Sequence, residues 1–155
     1  MKTLTWTLFA LFLTLPAQAL EPPQSVGSWH LGGLVMRKYA TVRAIKDPKV
    51  EGVICHYLFV DKKLSFEDPS DAAIACRRSG PIRFLEPLDL SDEGEVISQE
   101  GRDLFFKTFR IRRLVDPKNR TLVYATYTQE LIDGSNKVSL STVVLDPSEA
   151  LPQSK

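Results

Sequence analysis

Apolar and polar residues alternate with a period of two through most of this chain, which predicts strands rather than helices. Residues 39–45 are rich in β-forming residues and end at Asp47-Pro48, a dipeptide typical of turns. Residues 52–60 are apolar on both faces, as in a central strand covered on both sides. Strands joined by short turns predict a mainly β fold, either an antiparallel β-sandwich or a partly open barrel.

One segment departs from this period. An N-cap at Ser70 or Asp71, the helix-forming run 72–76 and the stop at Gly80-Pro81 predict one short α-helix. The later strands are predicted after Pro81, at 103–115, at 121–131 and at 138–145, with an irregularity at Arg112-Arg113 and a less regular acidic stretch at 86–100.

The first 19 residues have the layout of a cleaved secretory signal peptide. Lys2 supplies the positive charge, residues 4–15 are apolar, and Ala17-Gln18-Ala19 predicts cleavage after Ala19. The apolar run is shorter than the roughly 20 residues of a membrane span. We therefore expect an exported protein whose mature chain has no transmembrane anchor. Its predicted parts are a lead-in at 20–37, a β-rich domain at 38–146 and a flexible tail at 147–155.

The charge balance argues against a nucleic-acid partner. The 20 basic residues include Lys2 of the leader, which leaves 19 basic against 19 acidic residues. Nucleic-acid binding relies on an excess of positive charge that neutralises phosphates. No such excess is present, and an exported protein does not meet nucleic acid.

Two cysteines, Cys55 and Cys76, allow one intramolecular pairing. In an oxidising compartment we expect a structural disulfide that links the central strand to the short helix, with free or metal-bound thiols as alternatives. The closed loop of about 20 residues corresponds to roughly 3 kcal/mol of stabilisation.

Three separated motifs occur in an order that resembles the CreA family of exported bacterial proteins. They are DPKVEGVICHYLF at 47–59, SDAAIACRRSGPI at 70–82, and RLVDPKNRTLVYATY with LIDGS at 113–135. The resemblance implies a periplasmic protein of a Gram-negative bacterium with a Cys55–Cys76 bridge. It implies no known reaction, ligand or catalytic residue. The chain departs from the family pattern at 134–141, GSNKVSLS.

Catalytic, cofactor and metal motifs are not evident. His30 and His56 lack ligand spacing, and His56 points away from Cys55 because neighbours on a strand diverge. There is no G-x-S-x-G elbow, and Gly32-Gly33 lacks phosphate-loop spacing. We therefore predict no catalytic residue, no cofactor and no metal site.

Three further groups have both a functional and a structural interpretation. Carboxylate pairs for sugar chemistry are conceivable in the acidic stretch, although a solvated surface is the favoured interpretation. The arginines could form an anion-binding surface, and the aromatic residues could line a pocket or fill the core. The groups are Glu93 with Glu95 or Asp89 with Asp92; Arg77, Arg78, Arg110, Arg112 and Arg113; and Tyr124, Tyr127, Phe105, Phe106 and Phe109.

The function that these observations favour is a non-catalytic binding module of the cell envelope, whose partner is an envelope protein or a small ligand. One alternative is a small-ligand carrier with a pocket inside a β-barrel. The other alternative is an unrecognised hydrolase, which would need His30 or His56 beside a serine and an acidic residue.

Overall fold

The computed structural model describes residues 22–32, 37–62, 72–100, 108–129 and 138–154. These residues form eight strands and no helix. The strands are β1 (Gln24–Gly32), β2 (Lys38–Lys46), β3 (Val50–Lys62), β4 (Ala72–Phe84), β5 (Glu95–Glu100), β6 (Thr108–Asp116), β7 (Thr121–Gln129) and β8 (Val138–Val144). No helix in this part of the chain has the length and hydropathy that a membrane crossing requires. The predicted signal peptide at 1–19 lies outside the described residues.

The strands form two antiparallel sheets of four strands each. The first sheet has the order β1-β2-β3-β4, and the second sheet has the order β5-β6-β7-β8. One core fills the space between them, with contributions from every strand except β1. The prediction of a mainly β, antiparallel fold is therefore confirmed, and of the two predicted forms, sandwich and partly open barrel, the structure has the sandwich.

Strand β3 has the central role expected of residues 52–60. It pairs with β2 on one side and with β4 on the other. Val53, Cys55 and Tyr57 are buried on its inner face, whereas His56 lies on the outer face between Ala44 and Ala75 of the neighbouring strands. Strict alternation therefore places Cys55 and His56 on opposite faces of β3, as the sequence predicts.

The predicted short helix at 72–76 is wrong, because these residues begin the long strand β4. Helix propensity is a weak local preference, and a nine-position ladder with β3 overrides it here. The run also fits a strand: Ile74 is buried, while Ala73 and Ala75 are exposed on the other face. The cysteine pair therefore links two neighbouring strands and not a helix to a strand.

Gly80-Pro81 was predicted to end the short helix but lies inside β4, where β3 leaves space for its backbone. Gly52 lies at an irregularity in the register between Glu51 and Val53 and has a φ of 85°. A Cβ atom at Gly52 would lie 2.2 Å from the backbone oxygen of Pro81, so only glycine fits this close approach.

The irregularity predicted at Arg112-Arg113 lies on a different strand. β6 pairs with β7 in unbroken register. The register shift occurs on β5, between Val96 and Ser98, opposite Arg112 and Ile111. The sequence of β6 breaks the alternation of apolar and polar residues because Arg113 points into the core, and not because its backbone bulges.

Three segments outside the predicted strands also form backbone pairings with the sandwich. β1 lies within the expected lead-in and pairs with β2 along its length. β5 lies within the stretch predicted as less regular. In the expected tail, the N–H of Leu88 donates to the backbone oxygen of Gln153 at 2.9 Å, and Pro152 is buried. Backbone hydrogen bonds and burial of apolar surface hold these segments on the sandwich.

The two sheets are joined along one flank, where β4 meets β8. The N–H of Cys76 donates to Ser141 Oγ at 2.8 Å, and the N–H of Ile74 donates to Ser139 Oγ at 3.4 Å. Serine side chains of β8 thus satisfy backbone donors at the edge of β4. β1 and β5 are the outermost strands of the opposite flank.

Candidate functional site

Cys55 and Cys76 are directly opposite each other on β3 and β4, with their sulfur atoms 2.07 Å apart. The N–H of Cys76 bonds to Ser141, so this is a non-hydrogen-bonded pair of the ladder, in which side chains approach most closely. Cys55 is 1% exposed and lies in the core. The pair is therefore placed as a structural link rather than as a reactive thiol site.

A buried charge cluster lies between the sheets at the β2–β3 turn. Arg113 donates to Asp47 Oδ1 and to Glu95 Oε2, both at 2.5 Å. Lys49 Nζ donates to Glu95 Oε1 at 2.6 Å, and Tyr124 Oη donates to Asp47 Oδ2 at 2.9 Å. The side chains of Arg113 and Asp47 have no exposed surface.

The contacts in this cluster indicate a structural role. Buried charges are tolerated when they are paired and hydrogen-bonded, as the guanidinium of Arg113 is by two carboxylates. Burial raises the pKa of Tyr124 well above its ordinary value, and the neighbouring Asp47 charge acts in the same direction. Tyr124 therefore stays protonated and acts as a hydrogen-bond donor.

Glu95 and Asp89, one member of each candidate carboxylate pair, make structural contacts. Glu95 is held by Arg113 and Lys49 inside the cluster, whereas Glu93 is exposed in the preceding turn. Asp89 accepts from the N–H of Ser91 at 2.9 Å and so stabilises the turn. These contacts support the structural interpretation of the acidic stretch.

Arg78 belongs to a second structural arrangement at the C-terminal segment. Its guanidinium forms a two-point contact with Glu149, at 3.0 and 2.6 Å. Glu149 also accepts from the N–H groups of Ile82 and Asp146, at 2.7 and 2.8 Å. Burial raises the pKa of Glu149, but these donors outweigh it, so the pKa lies below its ordinary value. Glu149 thereby anchors the C-terminal segment to β4.

The fold separates the five candidate arginines. Arg113 is in the buried charge cluster, Arg78 is bound to Glu149, and Arg77 donates to the backbone oxygen of Arg78. Arg110 and Arg112 remain together on the outer face of the second sheet. The anion-binding surface considered from the sequence therefore reduces to these two.

Arg110 and Arg112 converge on one phenol. Arg112 Nη2 donates to Tyr127 Oη at 3.1 Å, and its guanidinium carbon lies 5.6 Å from the ring centroid. Arg110 also donates to Tyr127; these bonds outweigh the effect of burial, so the pKa of Tyr127 lies below its ordinary value. Arg112 further donates to the backbone oxygen of Glu93. The described partners are a phenol and a carbonyl, so neither guanidinium is neutralised by them.

Apolar side chains continue this face along β8. Val138 is directly opposite Tyr127, and Leu140 is directly opposite Ala125. Val138 is 73% exposed and Leu140 is 67% exposed. We call the set Arg110, Arg112, Tyr127, Val138 and Leu140 the arginine–tyrosine surface. It combines positive charge with exposed aliphatic groups, which suits an anionic partner with an apolar part.

The aromatic candidates also divide between core and surface. Tyr124 is buried and Tyr127 is on the outer face, as alternation predicts. Phe109 packs in the core 5.2 Å from the ring of Tyr57. Phe105 and Phe106 lie outside the described residues.

A cleft of about 860 Å³ lies beside the β2–β3 turn, near β5 and the residues that precede β1. Pro22 and Pro23 form one part of its wall, and Leu85 and Ile97 form another. The core residues Ile45, Val50 and Val53 also line this cleft, so it reaches the edge of the core. The alternative of a pocket inside a β-barrel does not apply, because the described strands form two separate sheets.

The two histidines have aromatic or aliphatic neighbours in the described part of the chain. The ring of His30 lies 5.3 Å from the ring of Tyr39. His56 has alanines as its cross-strand neighbours, and these offer no polar side chain. A cluster of three or more potential metal ligands is not found among the described residues.

Comparison with known proteins places the chain in a family. The model of the family described as CreA protein matches residues 26–148. The chain belongs to the CreA family. Protein CreA of Escherichia coli strain K12 is 33% identical over 114 residues, which cover 68% of this chain and 72% of the relative. Protein CreA of strain O157:H7 matches with the same identity and coverage. No solved structure matches the chain.

The CreA family membership confirms the resemblance found in three sequence motifs, and two of these motifs contribute to the buried charge cluster. Asp47 and Lys49 belong to the first motif, and Arg113 and Tyr124 belong to the third. Sequence reasoning missed this cluster. The one sequence signal for the cluster was Arg113, which occupies a position where alternation predicts an apolar residue. A charged side chain that points into the core needs a partner of opposite charge.

Proposed function

We propose that this CreA-family chain is a periplasmic protein that acts without catalysis by binding another protein of the cell envelope. The observation that supports this proposal is the arginine–tyrosine surface. Its two guanidiniums bond to a phenol and a backbone oxygen, and exposed aliphatic side chains continue the face. The partner surface that fits is acidic and partly apolar, since arginine forms two-point contacts with carboxylates.

The contrast with the other charged groups strengthens the proposal. Asp47, Glu95 and Glu149 are each bound by arginine inside the fold and so are not available to a reaction or a partner. Arg110 and Arg112 are half-buried and hold positive charge on the outer face of the second sheet. Such charge can raise the rate of association and orient the partner.

Site-specific photocrosslinking in cells tests the proposed surface. A benzoylphenylalanine in place of Leu140 should give a discrete adduct with one envelope protein. The matched control is the same probe in place of Lys118, which is exposed in the β6–β7 turn. The double variant Arg110→Glu, Arg112→Glu should abolish the Leu140 adduct. Equal adducts from both probe positions would contradict the proposal, as would substrate turnover by the purified protein.

Export to the periplasm is a separate part of the proposal. It is supported by the leader at 1–19 and by the paired cysteines, which suit an oxidising compartment. Mass spectrometry of the periplasmic fraction should find a chain that begins at Leu20. An intact N-terminus in the cytosolic fraction would contradict export.

Small-ligand carriage is the second candidate function, and the cleft beside Pro22 and Leu85 favours it. Its size lies within the range of about 300–1,000 Å³ that is usual for ligand sites. Native mass spectrometry of protein isolated from the periplasm should then detect a bound small molecule. Substitution Ser79→Trp in the cleft wall should remove that molecule, whereas Arg112→Ala should not.

A further inference from the structure

β1 is the least covered strand of the molecule within the described residues. Its nine residues are all exposed or half-buried, and Val26, Trp29 and Leu31 are each about half exposed, at 57%, 49% and 50%. Its principal described contacts are with β2, and it contributes nothing to the core cluster. One edge of β1 therefore offers backbone donors and acceptors, with apolar side chains beside them.

The other three outer strands are protected in ways that β1 is not. β4 and β8 meet each other, and Ser139 and Ser141 occupy backbone donors of β4. β5 is only six residues long and has a glutamate at each end. Short length, charge and covering are the usual means by which proteins prevent pairing at an edge.

The sequence of β1, QSVGSWHLG, has none of these protections. It contains no Asp, Glu, Lys, Arg or Pro. Register shifts occur near its two ends, between Ser25 and Gly27 and between His30 and Gly32. The residues from Gly27 to His30 keep a regular register with β2. A regular central segment without charge is the part of an edge that can accept another strand.

We propose that β1 pairs with β1 of a second copy of this chain. The two strands would run antiparallel about a two-fold axis at Ser28, so that two first sheets become one sheet of eight strands. Charge favours this occupant, because an uncharged strand meets itself without opposing like charges. The register also places Trp29 of each copy opposite Gly27 of the other, where an aromatic ring can cover a glycine.

This interface is isologous and closes after two copies. It is weak, because a single strand edge buries less than the roughly 1,200 Å² of a standard interface. It is also independent of the arginine–tyrosine surface, which lies on the second sheet.

Sedimentation of the purified exported chain from about 1 to 100 µM should show a monomer–dimer equilibrium in the micromolar range. Trp29→Lys should weaken the dimer about tenfold. The substitution removes the Trp29–Gly27 contact, which occurs twice in the two-fold dimer. Leu85→Lys is the matched control, because Leu85 is equally exposed at 55% but lies outside β1, and it should leave the equilibrium unchanged. A monomer throughout, or equal effects of the two lysines, would overturn the proposal.

Cysteine crosslinking tests the register directly. Ser28→Cys lies on the two-fold axis and should form a disulfide-linked dimer with copper phenanthroline as oxidant, with the Cys55–Cys76 bridge retained. Ser25→Cys, whose counterpart in this register is Leu31, should form little. If Ser28→Cys in the periplasm links to another protein and not to itself, self-pairing is overturned and that protein is the occupant of the edge.

Discussion

Arg112 and Arg113 are neighbours on β6, but they point to opposite faces of the second sheet. Arg113 is fully buried and lies 2.5 Å from carboxylate oxygens of Asp47 and Glu95. Arg112 is on the outer face and donates to Tyr127 and to a backbone oxygen. A guanidinium removed from water requires opposite charge around it, whereas a half-buried one on the outer face, such as that of Arg112, keeps some contact with water. The inner face of the second sheet therefore holds the fold together, and the outer face carries the surface that we propose for binding.

The largest effect should come from breaking the inner pair. Asp47→Ala leaves Arg113 buried with one carboxylate fewer and removes the acceptor of Tyr124. We expect a loss of about 3–5 kcal/mol in the free energy of unfolding, measured by urea denaturation. Arg112→Ala on the outer face is the matched control and should change it by less than about 1 kcal/mol. Equal losses in the two variants would remove the distinction between the faces.

The disulfide is the next largest contribution to the inner side of the sandwich. Cys55 and Cys76 are separated by 21 positions, for which chain entropy predicts about 3 kcal/mol of stabilisation. We expect Cys76→Ser to lower the melting temperature and to increase cleavage by protease under oxidising conditions. Wild-type protein with and without reductant is the control, and identical melting temperatures of these two samples would contradict the prediction.

The smallest of these effects concerns the flank where β4 meets β8. Ser141→Ala removes the acceptor of the Cys76 N–H at 2.8 Å and should cost about 1 kcal/mol in the free energy of unfolding. Ser139→Ala removes a longer contact, 3.4 Å, and should cost less. A larger loss for Ser139→Ala than for Ser141→Ala would show that the serine contacts do not join the sheets as described.

The sequence predicted the local features that depend on neighbouring residues. Alternation in β3 placed Cys55 and His56 on opposite faces, as the structure has them. The Asp47-Pro48 turn was also found. The segment 72–76 was misassigned because its alanines suit a helix, and local propensity carries no information about the ladder that β3 provides.

The candidate site was predicted only in part, for a related reason. The arginines were identified as a set, but which of them face carboxylates depends on contacts across the sandwich. Asp47 and Arg113 are 66 positions apart in sequence, and no local pattern relates them. The exposure of Trp29 on β1 likewise follows from its position at the edge of a sheet.

By itself, the sequence determined the strand-rich class of the fold, the faces of β3, the CreA-family motifs and the one available cysteine pairing. These depend on residue type and short spacing, which the chain carries locally. Only the tertiary structure decided that Arg113 is a buried ion-pair partner while Arg112 is half-buried on the outer face. It also decided that β1 is an outermost strand among the described residues. Burial and pairing arise when distant segments meet, so their free energies cannot be assigned before the sheets are assembled.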